Sequence, residues 1–187
     1  MPRQEKGSRD KLRKLENILK KYGKVFIAYS GGLDSTFLTH VATGILGRKN
    51  VFAVTADSET YSRKELEDAK NIAEKLGFKH LVLRTGEFNN ENFTSNPPDR
   101  CFYCKDEMFA LLKSYADTYG VKTICDGTNL SDADDYRPGK MAREKWHIKT
   151  PLFDTKLTKE EIKNLSKNMG LPTWNKPPLA CLASRVP

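Results

Sequence analysis

The chain lacks both common phosphate-binding signatures: no Gly-x-x-x-x-Gly-Lys-Ser/Thr and no Gly-x-Gly-x-x-Gly occurs in its 187 residues. The usual mononucleotide loop and the usual dinucleotide fingerprint are therefore excluded. No apolar run approaches the ~20 residues that a membrane-spanning helix needs. Nothing apolar follows Met1-Pro2-Arg3-Gln4-Glu5-Lys6 as it would in a secretory signal. The expectation is a cytoplasmic protein with no membrane partner. Cysteine is scarce too. Its 4 copies, Cys101, Cys104, Cys125 and Cys181, lack the secretory setting in which cysteines build a disulfide framework. There is no low-complexity segment, no zinc-knuckle array and no appended RNA-binding module.

What is present fits one domain plus an appendage, long enough for a substantial core. The apolar share of 38% and charged share of 30% are those of a soluble protein. A net charge of +8 invites RNA or another polyanion. The basic residues are spread rather than clustered, however, which reads as a Lys-rich solvated face with some charge serving nucleotide phosphates.

The most informative stretch is residues 25–35. Val25-Phe26-Ile27-Ala28-Tyr29 is too short for a core helix and right for a buried strand. It turns on Gly31 and Gly32 and enters Ser35-Thr36-Phe37-Leu38, which reads as a helix. Strand, Gly-rich turn and helix N-terminus make an anion site, because free N–H groups and the helix dipole point outward there. An acid in such a loop, Asp34, makes sense as a ligand to a divalent cation beside bound phosphates. Ser30-Gly31-Gly32-Leu33-Asp34-Ser35 matches Ser-Gly-Gly-x-Asp-Ser and so resembles the loop of the ATP pyrophosphatases. In that superfamily the loop holds the pyrophosphate half of ATP.

Along the chain, residues 1–7 read as disordered. Residues 8–22 read as a helix with Leu12, Leu15, Leu19 and Tyr22 on one stripe. Strands are expected near residues 25–29, 50–56, 80–83, 121–125 and 147–152. Helices are expected near 35–46, 62–76, 104–119, 139–145 and 158–170, two of them opened by the capping boxes Ser62-x-x-Glu65 and Thr158-x-x-Glu161. This alternation predicts an α/β fold: a parallel five-stranded sheet with helices on both faces. Ligands in such sheets sit beyond the C-terminal strand ends. The loops after the first four strands should therefore converge.

Three constellations carry chemistry. Ser30, Gly31, Gly32, Asp34 and Ser35 would hold pyrophosphate and Mg²⁺. Main-chain groups of Val54, Thr55 and Ala56 would lie beside the adenine, and Asp126-Gly127-Thr128-Asn129 would finish the pocket. A second acid for Mg²⁺ is expected among Asp132, Asp134 and Asp135, with Asp132 foremost. The second constellation is Cys101-Phe102-Tyr103-Cys104 with Cys181 downstream. It is open to three readings: a redox pair, half a zinc site, or ligands of an iron–sulfur cluster. Cys125, at the end of a buried strand, reads as a small apolar residue. The third is the tail, where Arg185 would favour a Cys181 thiolate.

Taken together, residues 30–36, 96–105 (Asn-Pro-Pro-Asp-Arg-Cys-Phe-Tyr-Cys-Lys), 126–129, 135–139 (Asp-Tyr-Arg-Pro-Gly) and 176–185 (Lys-Pro-Pro-Leu-Ala-Cys-Leu-Ala-Ser-Arg) resemble the LarE-type ATP-dependent sulfur transferases. The resemblance spans nearly everything after residue 8. It implies that ATP adenylates a carboxylate of pyridinium-3,5-dicarboxylate mononucleotide, and that sulfur then displaces AMP to give a thiocarboxylate in nickel-pincer cofactor biosynthesis. In one branch the cysteine matching Cys181 gives up its own sulfur. In another, three cysteines hold a [4Fe–4S] cluster carrying an extra sulfide. Cys101, Cys104 and Cys181 place this chain with the second branch, with Cys181 a ligand and Asp34, Cys181 and Arg185 the catalytic set. It implies ATP, Mg²⁺ and [4Fe–4S] as cofactors, a nucleotide substrate, sulfide or a sulfur donor as partner, and a homo-oligomer. The expected domain division is a PP-loop domain over residues 1–155, with an N-terminal helix at 1–23, and the start of a substrate and cluster segment at 156–187, cut short at its C-terminal end. The rivals are a tRNA thiolase of the same superfamily and a non-catalytic nucleotide-binding or sulfur-carrier fragment.

Overall fold

A fully parallel sheet in the order β3-β2-β1-β4 forms the centre of the fold. The computed structural model describes residues 2–58, 61–85, 100–133 and 139–177. Its strands are β1 (Val25–Ala28), β2 (Val51–Asp57), β3 (Lys79–Arg84) and β4 (Thr123–Cys125). Ile27 lies opposite both Ala53 and Cys125, so β1 is paired on both sides. Its apolar run follows from that position: a central parallel strand is covered on both faces and has no polar side.

The helices are α1 (Pro2–Tyr22), α2 (Leu33–Leu46), α3 (Arg63–Lys75), α4 (Arg100–Thr118), α5 (Gly139–Lys145), α6 (Pro151–Asp154) and α7 (Lys159–Asn168). On one sheet face Leu15 and Leu19 of α1, Phe37 and Leu38 of α2, and Ile162 and Leu165 of α7 enclose Val25 and Ile27. On the other, Phe109 and Leu112 of α4 and Ala142 of α5 cover Phe26, Phe52 and Ile124. Ala69 and Ala73 of α3 pack on Tyr29, Ala53 and Phe78. Complete burial of a ring such as Phe26 or Phe37 contributes about 1.5–3 kcal/mol each.

Three expectations are corrected. The fifth strand over residues 147–152 is reduced to one isolated parallel bridge, Cys125 to Lys149. The Lys149 N–H donates to the Ile124 carbonyl and its own carbonyl accepts from Asp126 N–H, at 2.8 and 3.0 Å. Pro151 then opens α6, because its ring has no N–H for a ladder and is pre-set for a helix start. Residues 2–7, expected to be disordered, are the first turns of α1. Helix α4 begins at Arg100 rather than near Cys104, so Cys101 and Cys104 share its first turns. Residues 59–60, 86–99, 134–138 and 178–187 lie outside the described residues, and with them Asp134, Asp135, Cys181 and Arg185.

Both capping boxes form, at Ser62 with Glu65 and at Thr158 with Glu161. They fix where α3 and α7 start, and so how the loops before them meet the strand ends. No helix among the described residues is long and apolar enough to cross a membrane.

Candidate functional site

The C-terminal ends of β1, β2 and β4 open into one cavity of 640 Å³. Ser30, Gly32, Asp34 and Ser35 line it from the first loop, Val54, Thr55 and Ala56 from β2, and Gly127, Thr128 and Asp132 from the segment after β4. These ten positions border a single space. Gly31 turns behind the wall.

The loop is held from several sides. Gly31 has φ +65°, and a Cβ built on it would lie 2.8 Å from the Ala69 Cα of α3. Only glycine meets both the conformation and the close approach. At Gly127 a Cβ would come within 3.0 Å of the Ser35 nitrogen, so this glycine lets the β4 loop lie against the start of α2. Tyr61 donates to the Ser30 carbonyl at 2.7 Å. The Ser30 N–H donates to Ser35 Oγ at 3.2 Å. The N-cap residue Gly32 gives α2 no side-chain cap. The first turn of this 14-residue helix, Leu33, Asp34 and Ser35, lines the cavity without a side-chain cap, an arrangement suited to an anion.

Asp34 stands in that N-terminal turn. Burial first, and the Asp132 carboxylate besides, push its pKa up to about 6; the Lys159 charge and hydrogen bonds from its own backbone and Asn129 oppose the rise. Asn129, 1% exposed, joins the two acids. Its side-chain amide donates to Asp34 Oδ1 at 3.2 Å and its N–H to Asp132 Oδ2 at 3.1 Å. Two partly buried carboxylates braced by one asparagine beside an anion-binding turn fit a hard divalent cation that draws its remaining ligands from phosphate and water. Among the described residues no three His, Cys, Asp or Glu groups converge as a metal cluster.

Behind the cavity, the Thr55 hydroxyl donates to the Tyr29 carbonyl at 2.7 Å. His80 Nε2 lies 2.8 Å from the same hydroxyl. Thr55 has spent its proton, so His80 is the donor there, with its hydrogen on Nε2. Burial, reinforced by the Lys70 charge, lowers the His80 pKa to about 4. A neutral imidazole thus ties β3 to β2 behind the wall.

On the far wall Cys104, Lys105, Met108 and Phe109 of α4 face the cavity. Cys101, one turn earlier, is exposed. Their spacing places both thiols on one side of α4. Asp106 fastens α4 to α5, accepting from Trp146 Nε1 at 2.7 Å and from Lys145 Nζ at 2.8 Å. Burial works to raise its pKa, but those donors and the Lys145 charge outweigh it and lower it. Cys125 is fully buried, and burial pushes its thiol up, as expected of an inert core residue.

Tyr61 and Lys159, and Lys105 and Lys176 at the edges of the 96–105 and 176–185 motifs, also line the cavity, though sequence reasoning assigns none of the four a role at the site. Lys159 directly follows the capping residue Thr158, and Lys105 directly follows Cys104. Those adjacencies were the available signals. Nothing local marks Tyr61.

A phosphate loop between a parallel strand and an uncapped helix, with paired acids at its mouth, defines a nucleotide-binding α/β protein of the PP-loop class. Residues 9–95 match the family model described as NAD synthase. The chain is 41% identical over 177 residues to an uncharacterized protein of Synechocystis, covering 93% of this chain and 66% of that one. It is 33% identical over 169 residues to the pyridinium-3,5-bisthiocarboxylic acid mononucleotide synthase of Lactiplantibacillus plantarum, covering 90% and 61%. It is 33% identical over 179 residues to an uncharacterized protein of Methanocaldococcus jannaschii, covering 94% and 67%. The chain thus spans about two thirds of the length of these relatives. The NMN synthetase structure from Francisella tularensis shares the fold, with a TM-score of 0.68 at 19% identity over 95% of this chain and 76% of that one. The chain carries a PP-loop domain of the NAD synthase kind, and it is similar over most of its length to the L. plantarum synthase.

Proposed function

We propose that the chain is an ATP-dependent sulfur transferase acting on a nucleotide carboxylate, pyridinium-3,5-dicarboxylate mononucleotide. One observation carries this reading: the phosphate loop with Asp34 and Asp132 forms one wall of a cavity, and Cys104 forms part of another. Activation and sulfur chemistry thereby share one space. The similarity to the pyridinium-3,5-bisthiocarboxylic acid mononucleotide synthase of L. plantarum supports the substrate class.

Ser30, Gly31, Gly32, Ser35 and the uncapped N–H groups of α2 hold the pyrophosphate half of ATP. Asp34 and Asp132 hold Mg²⁺, which supplies charge neutralisation of the phosphates. Val54, Thr55 and Ala56 border the base, and Gly127 and Thr128 close the phosphate side. A substrate carboxylate oxygen attacks the α-phosphorus and pyrophosphate leaves. A sulfur nucleophile then attacks the acyl carbon and AMP leaves, giving the thiocarboxylate. Adenylation is needed because a free carboxylate is a poor electrophile.

Cys101, Cys104 and Cys181 are the proposed ligands of a [4Fe–4S] cluster, with the Arg185 charge proposed to favour the Cys181 thiolate. The two described thiols, on one side of α4 and with Cys104 at the cavity, fit two of the three positions. When bound, the cluster would supply a site that carries sulfide for the transfer. Residues 156–187 are the proposed substrate and cluster segment, and the working protein is a cytoplasmic homo-oligomer.

The test has two parts. Pyrophosphate release from ATP should require the pyridinium dicarboxylate; release that ignores it sinks the transferase reading. Anaerobic reconstitution with iron and sulfide should give iron–sulfur absorption that disappears in Cys101→Ala, Cys104→Ala and Cys181→Ala. No absorption, together with loss of one H₂S from the protein mass on turnover, would instead make Cys181 the sulfur donor.

A further inference from the structure

Lys176 reaches the phosphate loop from the C-terminal segment, far from it in sequence. Its ammonium donates to the Gly31 carbonyl at 3.2 Å and lies 3.6 Å from Asp68 Oδ2 of α3. Its side chain is only 17% exposed, and Lys176 and Pro177 both line the nucleotide cavity. The backbone that delivers it is fixed. Leu171 N–H donates to Ser166 O at 2.9 Å and Lys176 N–H to Thr173 O at 3.1 Å. Leu171 and Thr173 are each 1% exposed, and the Lys167 ammonium covers the Trp174 ring at 4.9 Å.

An ammonium has three donors and a compact charge. Here one donor meets a neutral carbonyl, and the Asp68 carboxylate stands beyond hydrogen-bond distance and is half exposed. A polyphosphate held by the same loop offers a better partner, since charge-assisted hydrogen bonds are about twice as strong as neutral ones. Lys176, the loop and the uncapped helix start all border one space, so the flexible side chain faces the volume such a ligand would fill.

We propose that Lys176 is a pyrophosphate-binding residue: it leaves Gly31 and Asp68 to bind the β- and γ-phosphates of ATP and the pyrophosphate product. This rests on the nucleotide-site reading above. The C-terminal segment is thereby tied to the pyrophosphate half of the ligand and is indifferent to AMP.

Calorimetric titration of the 187-residue chain with ATP, pyrophosphate and AMP, each with Mg²⁺, tests it. Lys176→Met should weaken ATP and pyrophosphate about ten- to hundredfold and leave AMP unchanged, with Lys176→Arg recovering part of the loss. Asp68→Asn removes the rival anion; it should tighten ATP and pyrophosphate about two- to fivefold, again sparing AMP. In a Trp146→Phe background the remaining Trp174 reports on the segment. Its emission should shift with ATP and pyrophosphate, not with AMP, and the shift should vanish with Lys176→Met. Equal losses for ATP and AMP, or unchanged ATP affinity in a variant of wild-type circular dichroism, would overturn the assignment. Failure of the wild-type chain to bind ATP would instead remove the nucleotide site itself, and this role with it.

Discussion

Asp34 shows how one residue joins stability to function. Its pKa is raised from 3.8 to about 6, so the unfolded chain ionises first. Between those pH values the folded state holds more protons, and stability falls as pH rises through the window; above about 6 the cost is constant. Asp34→Asn should therefore stabilise the cation-free chain at pH 7 by about 1–3 kcal/mol, measured as a higher urea midpoint at unchanged slope. The same variant should lose Mg²⁺-dependent ATP binding. A lower midpoint would show that Asp34 is not held against its own ionisation. Gly31→Ala faces a positive φ and the Ala69 backbone at once. It should cost about 2–4 kcal/mol in the same denaturation experiment. Asp34 was legible because an acid inside an anion loop is anomalous. The bracing by Asn129 was not, since it depends on a contact across 95 positions.

At the level of elements, the clamp between α4 and α5 decides where Cys104 stands. Asp106 accepts from both Trp146 and Lys145, and α5 in turn carries Arg143, 3.7 Å from Asp126 at the cavity. Asp106→Ala should cost about 1–3 kcal/mol by leaving the Trp146 N–H unpaired. It should also lower iron and sulfide retention after anaerobic reconstitution, while ATP binding changes little. Equal retention would mean that α4 holds its position without the clamp. Strands and helices with strong apolar periodicity were readable, and the capping boxes at Ser62 and Thr158 marked true helix starts. The fifth strand misled because Ile148 and Leu152 look like sheet residues, whereas Pro151 between them commits the chain to α6 after a single bridge. The early start of α4 was hidden by Pro97 and Pro98, which draw the eye to a loop.

For the whole molecule, two buried titrating groups oppose each other. His80 is lowered from 6.5 to about 4, so the unfolded chain binds its proton first as pH falls. The stability this neutral imidazole contributes is complete above about 6.5 and is lost as pH falls toward 4. Asp34 acts with the opposite sign across nearly the same range. Asp34 thereby offsets part of the His80 slope, and Asp34→Asn should make stability rise more steeply with pH than in the wild type, as thermal unfolding at several pH values will show. Mg²⁺ with ATP at a hundredfold excess over its dissociation constant should add about 2.7 kcal/mol, and a chelator should remove it. The packing of Gly31 on Ala69 has a further consequence, for how the sequence can drift. A Cβ at 31 would stand 2.8–2.9 Å from the α-carbon and methyl of Ala69, so neither position can enlarge first without a steric penalty. The pair forms a barrier in sequence space, and a helix residue that faces no phosphate inherits the constraint of the loop that does.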